Sequence, residues 1–173
     1  MDHICRKILV VSDTHGDPSN VLSKIIDRES PFDLLIHCGD VSCDLDRYEK
    51  NHAFPILVVR GNTDSRHYPR IADTKIGYMN VLVVHGDAYD VNETNQLLVR
   101  FAIERCADIV LFGHTHIPEI FHENGILFVN PGSPVRPKRN YPEGTYAVLE
   151  MDPELYGCIP SIRSALTGNA VSV

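Results

Sequence analysis

The segment Lys7-Ile8-Leu9-Val10-Val11-Ser12 holds a continuous apolar run rich in β-branched residues, the pattern of a strand buried on both faces. Four more short apolar runs follow, at 33–37, 55–59, 80–84 and 108–112, and any fold must cover each of them on two sides. The intervening sequence supplies that cover. Residues 19–29 carry Val21, Leu22, Ile25 and Ile26 at helical spacing, after Pro18 and before Pro31, and residues 94–106 repeat the pattern with Leu97, Leu98, Phe101 and Ile103. Further strands are expected at 75–78, 119–122, 126–129 and 145–150, with Glu123-Asn124-Gly125 reading as a hairpin turn. Strands alternating with helices early and hairpins late predict an α/β class, a mixed sheet system flanked by helices. No internal repeat interrupts the chain, and its 173 residues are read as a single domain, 1–173. The tail, 151–173, shows little periodicity and its packing is left open.

Composition narrows the function classes. Lys and Arg number 16 against 23 Asp and Glu, a net charge of −7 with neutral histidines. Sequence-independent binding of duplex nucleic acid draws on a basic surface, so a nucleic-acid partner is not expected. No apolar run approaches a membrane span, and the first residues lack a signal-peptide layout. Five cysteines (Cys5, Cys38, Cys43, Cys106, Cys158) include no close pair, which fits a reducing compartment, and a cytoplasmic location is expected.

The residues that follow each apolar run carry the chemistry. Asp13-Thr14-His15 follows the first, Gly39-Asp40 the second and Gly61-Asn62-Thr63-Asp64 the third; His85-Gly86-Asp87 follows the fourth and Gly113-His114-Thr115-His116 the fifth. The carboxyl ends of strands in open α/β sheets are where ligands bind. Two carboxylates, four imidazoles and an amide brought together without a cation would repel one another or lose hydration. Seven nitrogen and oxygen ligands exceed one tetrahedral zinc but suit two divalent ions sharing a carboxylate. Gly39, Gly61 and Gly113 remove side-chain bulk next to these residues.

In this order the residues resemble the calcineurin-like metallophosphoesterases, whose pattern is Asp-x-His, Gly-Asp, Gly-Asn, His and Gly-His-x-His. The match covers at least residues 8–116. The turn Asn130-Pro131-Gly132-Ser133 and the short chain resemble the compact YfcE-type phosphodiesterase branch, extending the likeness to about residue 150. The resemblance implies a two-layer mixed β-sandwich flanked by helices, with the metal site on one sheet edge. It also implies one ion held by Asp13, His15 and His116, a second by Asn62, His85 and His114, and Asp40 between them. Manganese is the expected cofactor; Ni, Fe, Co and Zn also suit such ligands. The ions would lower the pKa of a bridging water so that hydroxide attacks phosphorus near neutral pH, with no protein nucleophile.

The expected activity is a phosphodiesterase acting on a small phosphoester. A phosphomonoesterase or nucleotidase on the same site is one alternative; a non-catalytic scaffold resembling the retromer subunit of this fold is another. Many family members carry His after the Asn of the third motif, where it can protonate a leaving oxygen; this chain has Thr63. Esters with acidic leaving groups should therefore react best. His67 is a candidate substitute acid from the next loop. Asp64 is read as either an orienting neighbour or a helix cap, and His37 as a core histidine or a partner of a ligand carboxylate. His3, His52 and His122 have no such context, and Arg136, Lys138 and Arg139 form a basic loop able to meet an anion. A homo-oligomer is compatible with the sequence.

Overall fold

The computed structural model describes residues 7–17, 19–41, 45, 48, 54–65, 68–138, 141–152 and 157–173. Pro18, His3, His52, His67, Arg139, Cys5 and Cys43 lie outside the described residues. Among the described residues ten strands form two five-stranded sheets. The first sheet contains β1 (Lys7–Val11), β2 (Leu34–His37), β3 (Ile56–Val58), β9 (Thr145–Asp152) and β10 (Gly157–Ser164), in the order β10-β9-β1-β2-β3. The second contains β4 (Ile71–Ile76), β5 (Met79–Val84), β6 (Ile109–Leu111), β7 (Pro118–Glu123) and β8 (Ile126–Pro131), in the order β4-β5-β6-β8-β7. Strands β1, β2 and β3 run parallel, as do β5, β6 and β8, while the flanking strands pair antiparallel.

The continuous apolar runs are explained by alternation between two cores. Ile8, Val10 and Ile36 of the first sheet meet Val83, Leu111 and Val129 of the second in a shared interior. Leu9, Val11 and Leu35 point the other way, onto Leu22, Ile25 and Ile26 of helix α1 (Val21–Glu29). Leu82, Val84, Val110 and Phe112 pack in the same manner beneath Leu98, Val99 and Ala102 of helix α2 (Gln96–Glu104). Each central strand is therefore buried on both faces, as its sequence requires. The molecule is a two-layer mixed β-sandwich flanked by helices.

Two expectations need correction. The five ligand-bearing strands do not share one sheet edge: β1, β2 and β3 belong to one layer and β5 and β6 to the other. The layers are joined at their common end, where the His114 N–H donates to the Asp13 carboxylate at 3.0 Å. The packing of 151–173, left open by the sequence, includes strand β10, which pairs with β9 from Gly157↔Asp152 to Ser164↔Thr145. Helix α1 begins two residues later than expected because the Asp17 carboxylate accepts the N–H groups of Val21 and Leu22, at 2.7 and 2.9 Å. No helix among the described residues is long and apolar enough to cross a membrane.

Candidate metal centre

All seven residues singled out at the strand ends come together in one cluster linked by close contacts. His116 Nε2 stands 3.2 Å from His15 Nε2 and 3.3 Å from Asp13 Oδ1. In the neighbouring half, His85 Nε2 stands 3.1 Å from Asn62 Oδ1 and 3.3 Å from His114 Nδ1. Asp40 Oδ2 lies between the halves, 3.6 Å from His15 Nε2 and 3.6 Å from His85 Nε2. Asp13 and Asp40 are buried, His85 is buried, and His15, His114 and His116 are half-buried.

The inward atoms are acceptors. His116 Nδ1 faces the Arg136 carbonyl and His85 Nδ1 the Cys38 carbonyl, each at 2.8 Å. A ring nitrogen facing a carbonyl must donate, so both Nε2 atoms carry lone pairs toward the cluster. Asp13 Oδ1, wholly buried, has no hydrogen-bond partner among the described residues. Lone pairs crowded at 3.1–3.6 Å need a positive charge among them. Two donors each about 2.1 Å from one cation, at tetrahedral or octahedral angles, stand roughly 3.0–3.4 Å apart. The donor set therefore fits divalent cations, in groups such as Asp13–His15–His116 and Asp13–Asp40–His85.

The backbone is shaped for this convergence. Asp13, His15, Asp40, His114 and His116 all adopt positive φ, between 44° and 70°. Such conformations cost side-chain-bearing residues roughly 1 kcal/mol each and persist where surrounding structure enforces them. A Cβ on Gly61 would overlap the Asp40 carboxylate, one on Gly113 would overlap Ser12 Oγ, and one on Gly39 would stand 2.7 Å from His85 Nδ1. These glycines are required by close approach, as their positions in the sequence suggest.

Electrostatics follows from the packing. Burial pulls His15 and His114 below the ordinary imidazole value, with the His85 charge adding to the effect on His114. Burial would lower His116 too, but its close contact with the Asp13 carboxylate and that group's charge outweigh it and its pKa rises. Burial would raise Asp13, and the same His116 contact together with His85 brings it below the carboxylate range. His37, fully enclosed, is pushed down to about 4 by burial.

His37 does not meet a ligand carboxylate. Its Nδ1 accepts the Gly39 N–H at 3.2 Å and its Nε2 meets Thr14 Oγ1 at 3.0 Å, bracing two ligand loops from behind. Asp64 resolves as an orienting neighbour rather than a helix cap: its carboxylate accepts the N–H groups of Asp40, Val41 and Gly61. Sequence reasoning missed the role of the Asn130 turn as a brace. Asn130 Nδ2 donates to the Gly113 carbonyl and Thr115 Oγ1, and Ser133 Oγ donates to the Asp13 carbonyl at 2.9 Å. Asn130 and Ser133 flanking a Pro-Gly turn at the end of an apolar run were the available signal. His122 is exposed, as expected.

The calcineurin-like phosphoesterase superfamily domain matches residues 7–154. The chain belongs to this family. A protein of Methanothermobacter thermautotrophicus named "Probable metallophosphoesterase" is 33% identical over 151 residues, covering 84% of this chain and 86% of that protein. "Phosphodiesterase MJ0936" of Methanocaldococcus jannaschii is 28% identical over 145 residues, 73% of this chain and 82% of that protein. Among solved structures, a Streptococcus pneumoniae protein described as a predicted phosphoesterase superposes with a TM-score of 0.79 at 34% identity, covering 92% of this chain and 90% of that one. Within this metallophosphoesterase the Asp and His cluster is the place for divalent metal.

Proposed function

We propose that this metallophosphoesterase hydrolyses phosphodiesters with two divalent cations, one held by Asp13, His15 and His116 and the other by Asn62, His85 and His114. The observation that carries this reading is Asp40 Oδ2, equidistant at 3.6 Å from a histidine of each half. When bound, such ions supply an activated water at neutral pH and offset charge on the phosphoryl oxygens. The chain's own residues do the positioning. Carbonyls of Cys38 and Arg136 fix the His85 and His116 rings, Asp64 fixes the Asp40 backbone, and Asp40 Oδ1 accepts the Thr63 N–H at 2.9 Å. Manganese is the ion proposed to support activity, as the family resemblance implies; imidazole, carboxylate and amide donors together also suit Fe, Co, Ni and Zn.

Thr63 is exposed beside Asn62, where a proton donor to the leaving oxygen would stand. Its hydroxyl does not release a proton near neutral pH. Leaving groups that depart unaided, aryl phosphodiesters among them, are therefore the favoured substrates. The M. jannaschii relative named as a phosphodiesterase supports the same reaction class.

The test is turnover by chelator-stripped protein with each divalent metal restored in turn, on bis(4-nitrophenyl) phosphate and 4-nitrophenyl phosphate. The diester is expected to be cleaved about tenfold faster or more, a difference of roughly 1.4 kcal/mol in barrier, with manganese effective. Preference for the monoester would replace the phosphodiesterase with a monoesterase. Metal binding without hydrolysis of either would leave only a scaffold.

A further inference from the structure

The loop that follows β8 is built around one exposed side chain. Ser133 is wholly buried, and its hydroxyl donates to the Asp13 carbonyl at 2.9 Å while accepting the Arg136 N–H at 2.8 Å. The Arg136 carbonyl accepts His116 Nδ1 at 2.8 Å. Both backbone handles of Arg136 are thus tied to the loops that present Asp13 and His116. Pro134 and Pro137 bracket the residue and restrict the backbone further. The side chain itself is exposed and has no ion pair or hydrogen bond among the described residues. Its charge acts on the His15 imidazole, and that of Lys138 acts on His116.

The opposite half of the site is different. There the charge outside the cluster that acts on His114 is Asp87, which is paired with Arg70 at 2.9 Å. One side of the centre is therefore rimmed by cations lacking described partners, the other by a neutralised pair. A protein with a net charge of −7 has many carboxylates, yet none of those described pairs with this guanidinium. A rigidly based guanidinium whose donors meet no partner among the described residues is suited to a bidentate anion, a phosphate above all.

We propose that Arg136 is a specificity-determining residue that binds a second, terminal phosphate carried by the phosphodiester, on the Asp13–His15–His116 side of the site. This rests on the phosphodiesterase reading and adds to it a substrate class: diesters bearing a phosphomonoester beside the scissile link. The group is not the one attacked. It is held while the diester is cleaved, so its effect falls on binding and is screened by salt.

The experiment compares the 4-nitrophenyl ester of thymidine 5′-phosphate with the same compound carrying a 3′-phosphate, using the full chain with manganese at low salt. The 3′-phosphorylated diester is expected to show kcat/KM higher by about tenfold, mostly through KM, as one charge-assisted contact provides. R136Q loses most of that preference, R136K keeps part of it, and added salt erodes it in the native chain but little in R136Q. K75Q, on exposed β4 away from the centre, leaves both rates and their ratio unchanged. A ratio near one in the native chain, or the same ratio in R136Q, overturns the assignment while hydrolysis of the plain diester leaves the phosphodiesterase standing. Failure to cleave either compound with any divalent metal defeats both together.

Discussion

The Asp64 carboxylate accepts the Asp40 backbone N–H at 2.9 Å, and with the same oxygen the Gly61 N–H at 2.8 Å, while its other oxygen takes the Val41 N–H at 2.7 Å. One side chain thereby locks the loop after β2 to the loop after β3, and both carry residues of the metal centre. D64N keeps the shape but gives up one acceptor, leaving a buried donor unsatisfied. It should lose about 1–3 kcal/mol in urea unfolding, and about 10–100-fold in metal affinity, as loss of such orienting partners does. Titration of chelator-stripped protein followed by calorimetry checks the second figure. Unchanged affinity in a folded variant would show that Asp64 serves stability alone.

Gly61 and Gly77 separate close approach from backbone conformation. A Cβ at Gly61 overlaps the Asp40 carboxylate, whereas one at Gly77 meets nothing although φ there is +61°. G77A should cost about 1 kcal/mol of stability, the strain of a left-handed alanine, and leave activity intact. G61A should abolish metal-dependent turnover and displace Asp40. Activity retained in G61A would mean the Asp40 position is not needed.

Glu29 closes helix α1 far from the centre, 2% exposed, with Lys7 Nζ at 2.9 Å, Arg163 Nη1 at 3.0 Å and the Tyr146 hydroxyl at 2.6 Å. Burial alone would raise its pKa; the Tyr146 and Lys7 hydrogen bonds and the Arg163 charge bring it below its ordinary 4.5. The folded pKa is the lower one, so the stabilisation is full above the unfolded value and is lost as pH falls through the folded value. E29Q should destabilise the protein by about 1–3 kcal/mol near neutrality, the loss of charge-assisted hydrogen bonds from half-buried Lys7 and Arg163 to a buried carboxylate. The gap between native chain and variant should narrow in urea titrations taken to progressively lower pH. A gap independent of pH would assign the loss to packing.

On the proposed mechanism, Thr63 leaves the departing oxygen without a proton donor. The native chain should cleave aryl phosphodiesters much faster than dialkyl ones, and T63H should narrow that difference by about tenfold or more, within the range of general acid catalysis. Rates on the two substrate types across pH measure it. A T63H variant with the native ratio would place protonation of the leaving oxygen elsewhere.

The central strands and the site were legible for one reason. Ile8, Leu9, Val10 and Val11 are each buried, so the run shows no polar interruption until Ser12 and Asp13, and the polar residues at its end stand out. The apolar pattern alone did not divide the strands between two sheets, because a strand buried on both faces reads alike in either layer; the family resemblance supplied that division. Strand β10 escaped notice because it is an edge: Ile159 is exposed, and Pro160 sits where a central strand would need its N–H. The positive φ of His15, His114 and His116 left no sequence mark either, since the strain is imposed by tertiary contacts such as Asp13 to the His114 N–H.

The most direct test of the two-cation centre is a crystal structure of manganese-loaded protein with anomalous data at the manganese edge. The account predicts two peaks about 3.5–4 Å apart, as in other two-metal sites: one among Asp13, His15 and His116, the other among Asn62, His85 and His114, with Asp40 reaching both. A single peak at saturating manganese, or peaks away from Asp40, would contradict it.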